Sequence, residues 1–84
     1  MSDLTHERDL RLLVTRTTGK DAAAVAGDDD LVRELGLDSL AVLALLAAVE
    51  RRFDVRFPDD ELGGIRTLNQ MLDVIRLAQR RAES

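Results

Sequence analysis

The sequence predicts an all-α fold, a small bundle of three main helices plus one short helix. Three observations lead there. Apolar residues in the first segment recur at helical spacing. A long apolar run in the middle follows an aspartate suited to cap a helix. A Thr-x-x-Gln pair opens an amphipathic stretch near the end.

In the first segment, Asp3 to Thr17, Leu10, Leu13, Val14 and Thr17 fall at i, i+3, i+4 and i+7, with Glu7, Arg8 and Arg11 off that stripe. Gly19 is the expected C-terminal stop. Lys20 to Asp38 reads as a long connection, broken at Gly27-Asp28-Asp29-Asp30 and pinned to the core by Leu31, Leu35 and Leu37. The second helix is expected from Asp38-Ser39 to about Phe53, with Asp38 as N-cap. Its stretch Leu40 to Val49 is apolar all round, more than one buried stripe requires, which points to a contact surface. Pro58 is expected to start the short helix, with Asp59, Asp60 and Glu61 complementing its dipole. Gly63-Gly64 should end it, one of the pair at positive φ because Ile65 must turn inward directly afterwards. Thr67 and Gln70 form the capping-box spacing of the last helix, whose buried face is Leu68, Met71, Leu72 and Ile75 and whose tail from Arg80 is expected to fray.

Composition removes several functions. The 84 residues suffice for one small domain, with 45% hydrophobic and 33% charged residues as in a soluble protein. Without cysteine there is no disulfide, thiolate metal site or cysteine nucleophile. A net charge of −4, scattered arginines and only 2% aromatics argue against nucleic-acid binding and favour basic protein partners. Leu40 to Val49 is about half a membrane span. The N-terminus has neither the basic nor the apolar region of a signal peptide, so no membrane insertion and a cytoplasmic location are expected. His6 stands alone near the chain start and is expected to be solvated. Asp28-Asp29-Asp30 lacks EF-hand spacing and reads as a solvated acidic loop, and no metal site is expected.

The chemistry concentrates at Glu34-Leu35-Gly36-Leu37-Asp38-Ser39-Leu40. After a glycine-containing bend, this stretch delivers a serine to the first turn of a helix. A hydroxyl there is exposed, and the free N–H groups and positive helix end suit an attached phosphate.

In order and spacing the chain resembles the acyl carrier protein family, polyketide and peptidyl carriers included, over Leu10 to Ile75. The resemblance rests on Leu35-Gly36-Leu37-Asp38-Ser39-Leu40, on Leu31 eight residues before the serine, and on Glu50-Arg51-Arg52-Phe53. Pro58-Asp59-Asp60-Glu61 and Thr67-Leu68 complete it. It implies an acyl-carrier-like fold over a single domain, 1–84, with its core at about 3–78. It also implies a 4′-phosphopantetheine arm on Ser39, moved from coenzyme A by a phosphopantetheinyl transferase, with acyl groups held as thioesters on the arm's thiol. The protein would then be no enzyme but a monomeric carrier, served by an acyl-activating ligase, ketosynthase, acyltransferase or condensation enzymes. The expected docking residues are Asp38, Leu40, Leu43, Ala44, Ala47, Glu50, Asp59 and Asp60.

Carriers of fatty-acid synthesis usually place acids along the helix after the serine, where this chain has Ala41 and Ala44. That departure points to a specialised polyketide, lipopeptide or modified-lipid pathway. Three other readings stay open on the residues: a peptidyl carrier for an amino acid, an unmodified interaction module with the same fold, and a small hydrolase. The last lacks a Gly-x-Ser-x-Gly around Ser39.

Overall fold

A computed structural model describes residues 3–83. Its helices are α1 (Asp3–Thr18), α2 (Leu31–Leu35), α3 (Ser39–Phe53) and α4 (Leu68–Glu83), with a 3₁₀ turn at Asp59–Gly64 between the last two. The described residues contain no strand. The three long helices lie where periodicity predicted them.

α1 ends as expected at Gly19, whose φ of 72° no β-carbon hinders and whose N–H reaches the Thr15 carbonyl at 2.9 Å. α1 and α3 run antiparallel, so the first turn of α1 meets the end of α3. There the rings of His6 and Phe53 meet edge to face at 6.1 Å, and Arg52 pairs with Asp9 at 3.0 Å. Leu10 and Val14 of α1, Leu45, Leu46 and Val49 of α3, and Leu68, Met71, Leu72 and Ile75 of α4 form the core.

His6 is a correction. It is 4% exposed rather than solvated, and neither ring nitrogen has a hydrogen-bond partner. Its place on the first inward turn of α1, over Phe53, decides this, not its closeness to the chain start. An unpartnered buried polar group carries a desolvation cost, so His6→Leu is expected to raise unfolding stability by about 1 kcal/mol. Urea unfolding of the two proteins measures this, and a loss of stability would show that the imidazole is satisfied.

The connection 20–38 is more ordered than its sequence suggested. Arg11, off the apolar stripe, donates to the carbonyls of Ala22 at 3.0 Å and Val25 at 2.5 Å. The three aspartates are exposed to half-buried, and each also accepts a hydrogen bond. Asp28 accepts from the Asn69 amide at 2.7 Å, Asp29 from the Ala26 N–H at 2.9 Å, and Asp30 caps α2 through the N–H groups of Val32 and Arg33. Gly27 lies against α4, where an added β-carbon would meet the Asn69 side chain at 2.5 Å. α2 itself is a helix that the periodicity did not show. At five residues it is too short for a repeating stripe, and Gly36 at φ 64° closes it.

The short helix is also corrected. Pro58 precedes the turn at φ −59° and ψ 136° instead of opening it, and the geometry is 3₁₀. Neither Gly63 nor Gly64 has positive φ, and no atom lies within 4 Å of a β-carbon added at either. The chain redirects itself at Ile65, which is extended at φ −92° and ψ 102°. Gly63→Ala and Gly64→Ala are therefore each expected to stabilise by about 0.4–1 kcal/mol through the unfolded chain. Denaturant midpoints check this, and a drop at either site would reveal backbone strain there. α4 opens with the expected capping box. Thr67 Oγ1 accepts from the Gln70 N–H at 3.1 Å, and Gln70 Oε1 accepts from the Thr67 N–H at 3.0 Å. The helix continues to Glu83, through the stretch where fraying was expected.

Candidate functional site

Ser39 is the first residue of α3 and is exposed. Asp38 places it there. In extended conformation at φ −90° and ψ 176°, it accepts the Ala41 N–H at 2.7 Å on its carboxylate and the Val42 N–H at 3.1 Å on its carbonyl. Leu37 anchors the approach in the core, and Gly36 turns the chain from α2 towards α3. The hydroxyl thus stands outside the positive end of a 15-residue helix, where a phosphate is favourably placed.

Beside it opens a cleft of about 310 Å³, lined by Asp38 and Ser39 and by the apolar Val32, Val42, Leu43 and Leu62. Gly63 and Arg66 complete it. An exposed hydroxyl, a helix N-terminus, apolar walls and one guanidinium fit a phosphate-linked arm with an acyl cargo. A wider cleft of about 530 Å³ lies across the bundle between Pro58, Val74 and Leu77, and neither Ser39 nor its cap lines it.

Asp30 and Arg66 face each other near the cleft, Arg66 Nη2 to Asp30 Oδ2 at 3.1 Å. Burial alone raises the Asp30 carboxyl. The Arg66 hydrogen bond, the Arg33 and Val32 N–H groups and the Arg66 charge together outweigh it and hold the group below its ordinary value. With a depressed folded value, this cap contributes stability above the ordinary aspartate range, and that stability is lost as pH falls through the depressed value.

Of the expected docking residues, Leu40 is 75% exposed and Leu43 51%, and Asp38, Ala44, Asp59 and Asp60 are also exposed. Ala47 is half-buried. Glu50 is half-buried too, and its Oε2 accepts the Phe57 N–H at 2.9 Å, tying the 54–57 loop to α3. Asp54 turns that loop in the left-handed region at φ 54°, which aspartate tolerates better than most residues. Arg66 is the site residue that the motif did not bring forward. It sits far along the chain, and its only local sign is its place just before the α4 cap.

The hydrolase reading fails on geometry. His6 packs against Phe53 at the end of α3 and Ser39 starts that helix, roughly 20 Å away at 1.5 Å per residue. Among the described residues, no three His, Cys, Asp or Glu side chains are grouped to hold a metal ion. No described helix is long and apolar enough to cross a membrane.

Residues 8–75 match the family described as "phosphopantetheine attachment site". An acyl carrier protein of Trieres chinensis is 36% identical over 75 residues, 89% of this chain and 92% of that protein. The anthracycline acyl carrier protein DauA of Streptomyces sp. strain C5 is 41% identical over 66 residues, 76% of this chain and 79% of that one. The solution structure of the hexanoyl carrier from the actinorhodin polyketide synthase of Streptomyces coelicolor superimposes with a TM-score of 0.72 at 33% identity. The match covers 89% of this chain and 91% of that one.

Fold and site together define a non-catalytic carrier, a helical scaffold on which partner enzymes act. The chain belongs to the phosphopantetheine-binding acyl carrier protein family. When bound, the phosphopantetheine arm supplies a terminal thiol that holds acyl groups as thioesters. An apolar cleft lies beside the exposed serine at the start of α3.

Proposed function

We propose that Ser39 carries the arm and that residues 1–84 work as one monomeric, cytoplasmic carrier unit with its core at about 3–78. The observation that carries this reading is Ser39, exposed at the start of α3 and lining the cleft. In the loading step the Ser39 oxygen attacks the β-phosphorus of coenzyme A. A new P–O bond forms, the bond to the adenosine bisphosphate breaks, and the hydroxyl proton leaves to a base of the phosphopantetheinyl transferase.

We assign the cargo to a specialised pathway of the polyketide, lipopeptide or modified-lipid kind. Ala41 and Ala44 stand where charge serves fatty-acid enzymes, and the anthracycline relative supports the same direction. The docking face comprises Asp38, Leu40, Leu43, Ala44 and Ala47 of the α3 region with Asp59 and Asp60 of the 3₁₀ turn, and Glu50 at its edge. An acyl-activating ligase, ketosynthase, acyltransferase or condensation enzyme would engage this face.

The test is intact mass after incubation with coenzyme A and a broad-specificity transferase. One arm is expected, mapped to Ser39 by peptide fragmentation. A chain that stays unmodified while a control carrier is loaded, or an arm on another residue, overturns the assignment.

A further inference from the structure

We propose that Arg66 is an anion-binding residue of the carrier cleft, its guanidinium exchanging the Asp30 carboxylate for an anionic oxygen group that the loaded arm brings beside Ser39. The inference rests on Ser39 carrying the arm.

The base of the Arg66 side chain is fixed. Its carbonyl accepts the Leu31 N–H at 2.8 Å and its N–H donates to Gln70 Oε1 at 2.7 Å, so Arg66 joins the starts of α2 and α4. The guanidinium end is what can re-aim. It meets Asp30 in a two-point contact, Nη2 to Oδ2 at 3.1 Å and Nε to Oδ1 at 3.2 Å. The side chains of this pair are 46% and 36% exposed. Ion pairs so exposed contribute little stability, so exchanging one oxygen partner for another is cheap. Asp30 is not orphaned when Arg66 leaves, because the Val32 N–H still donates to it at 2.9 Å.

The incoming group is set by complementarity. Among the described residues lining the cleft, Arg66 is the cation, facing apolar walls and the anionic Asp38. A planar fork of donors matches the paired oxygens of a phosphate or carboxylate. Two sources could present such oxygens: the phosphodiester that joins the arm to Ser39, or a carboxylate on the cargo, as in a malonyl group.

The experiment follows the Arg66 Nε–Hε signal by ¹⁵N NMR in the apo, arm-bearing, acetyl-loaded and malonyl-loaded protein, with intact mass recorded for each sample. A change from apo to arm-bearing that persists equally in both loaded forms identifies the phosphodiester. A change that separates malonyl from acetyl identifies the cargo carboxylate. Asp30→Asn keeps a capping side chain and removes the competing charge, so the change is expected to be larger in that variant. An Arg66 signal identical in all four forms, or a change that shrinks in Asp30→Asn, overturns the exchange. The mass data separate the two failures. No mass gain removes the Ser39 assignment and this inference with it, whereas a mass gain with an unmoved Arg66 signal removes the inference alone.

Discussion

Ser39→Ala is expected to abolish arm attachment completely while leaving the bundle folded. The loss is total because the hydroxyl oxygen is the nucleophile of the proposed loading step and alanine has none. Three threonine hydroxyls are already hydrogen-bonded: Thr18 donates to the Val14 carbonyl, and the oxygens of Thr15 and Thr67 accept from the N–H groups of Ala22 and Gln70. The fold should not notice the change. Ser39 is exposed, the cap of α3 belongs to Asp38, and alanine is the better helix former. Stability should stay within about 0.5 kcal/mol of wild type, as is usual for surface substitutions. Intact mass and thermal unfolding by circular dichroism read the two halves of this expectation. Retained loading would place the attachment on another residue. A large loss of stability would show that the hydroxyl has a structural role.

The second large effect separates two leucines three residues apart on α3. Leu46 is 1% exposed and packs in the core, whereas Leu43 is 51% exposed at the cleft. Leu46→Ala is expected to cost about 2–5 kcal/mol, the sum of lost transfer energy and a cavity. For a chain of 84 residues the whole stability is about 4–13 kcal/mol at 0.05–0.15 kcal/mol per residue, so this one change can bring the protein near unfolding. Leu43→Ala should leave stability almost unchanged. If the partner enzyme buries this side chain on docking, the lost contact is worth about 1.5–3 kcal/mol, a fall of roughly tenfold or more in the partner's kcat/KM. Urea unfolding and a steady-state acyl-transfer assay distinguish the two variants. Equal stability losses would mean that both leucines are core. Unchanged transfer by Leu43→Ala would remove it from the docking face.

Much of this is legible in the sequence. The stripe at Leu10, Val14 and Thr17, the Asp38 cap and the Thr67–Gln70 box are local signals, and local signals survive folding because their hydrogen bonds lie within one turn. The motif around Ser39 is likewise contiguous, so its exposed serine at the start of α3 was legible in the sequence. The misreadings concern relations between distant segments. Nothing local says that His6 will meet Phe53, that Asp28 will reach Asn69, or that Arg11 will hold the backbone at Ala22 and Val25. The Gly63-Gly64 pair misled for a related reason. A glycine permits positive φ without requiring it, and here Ile65 supplies the turn from ordinary extended backbone.

By itself, then, the sequence determined the number and placement of the long helices, the capped start of α3 and the serine that stands on it. These depend on spacing and on side chains that cap their own backbone. Only the tertiary structure decided which sides of the all-apolar Leu40–Val49 run face inward. It also decided that an aspartate cluster serves as caps and ties, and that Arg66 shares a cleft with Ser39. Those facts follow from how α2, α3 and α4 pack against one another. Residues far apart in the chain become neighbours there, and only packing determines which of them do.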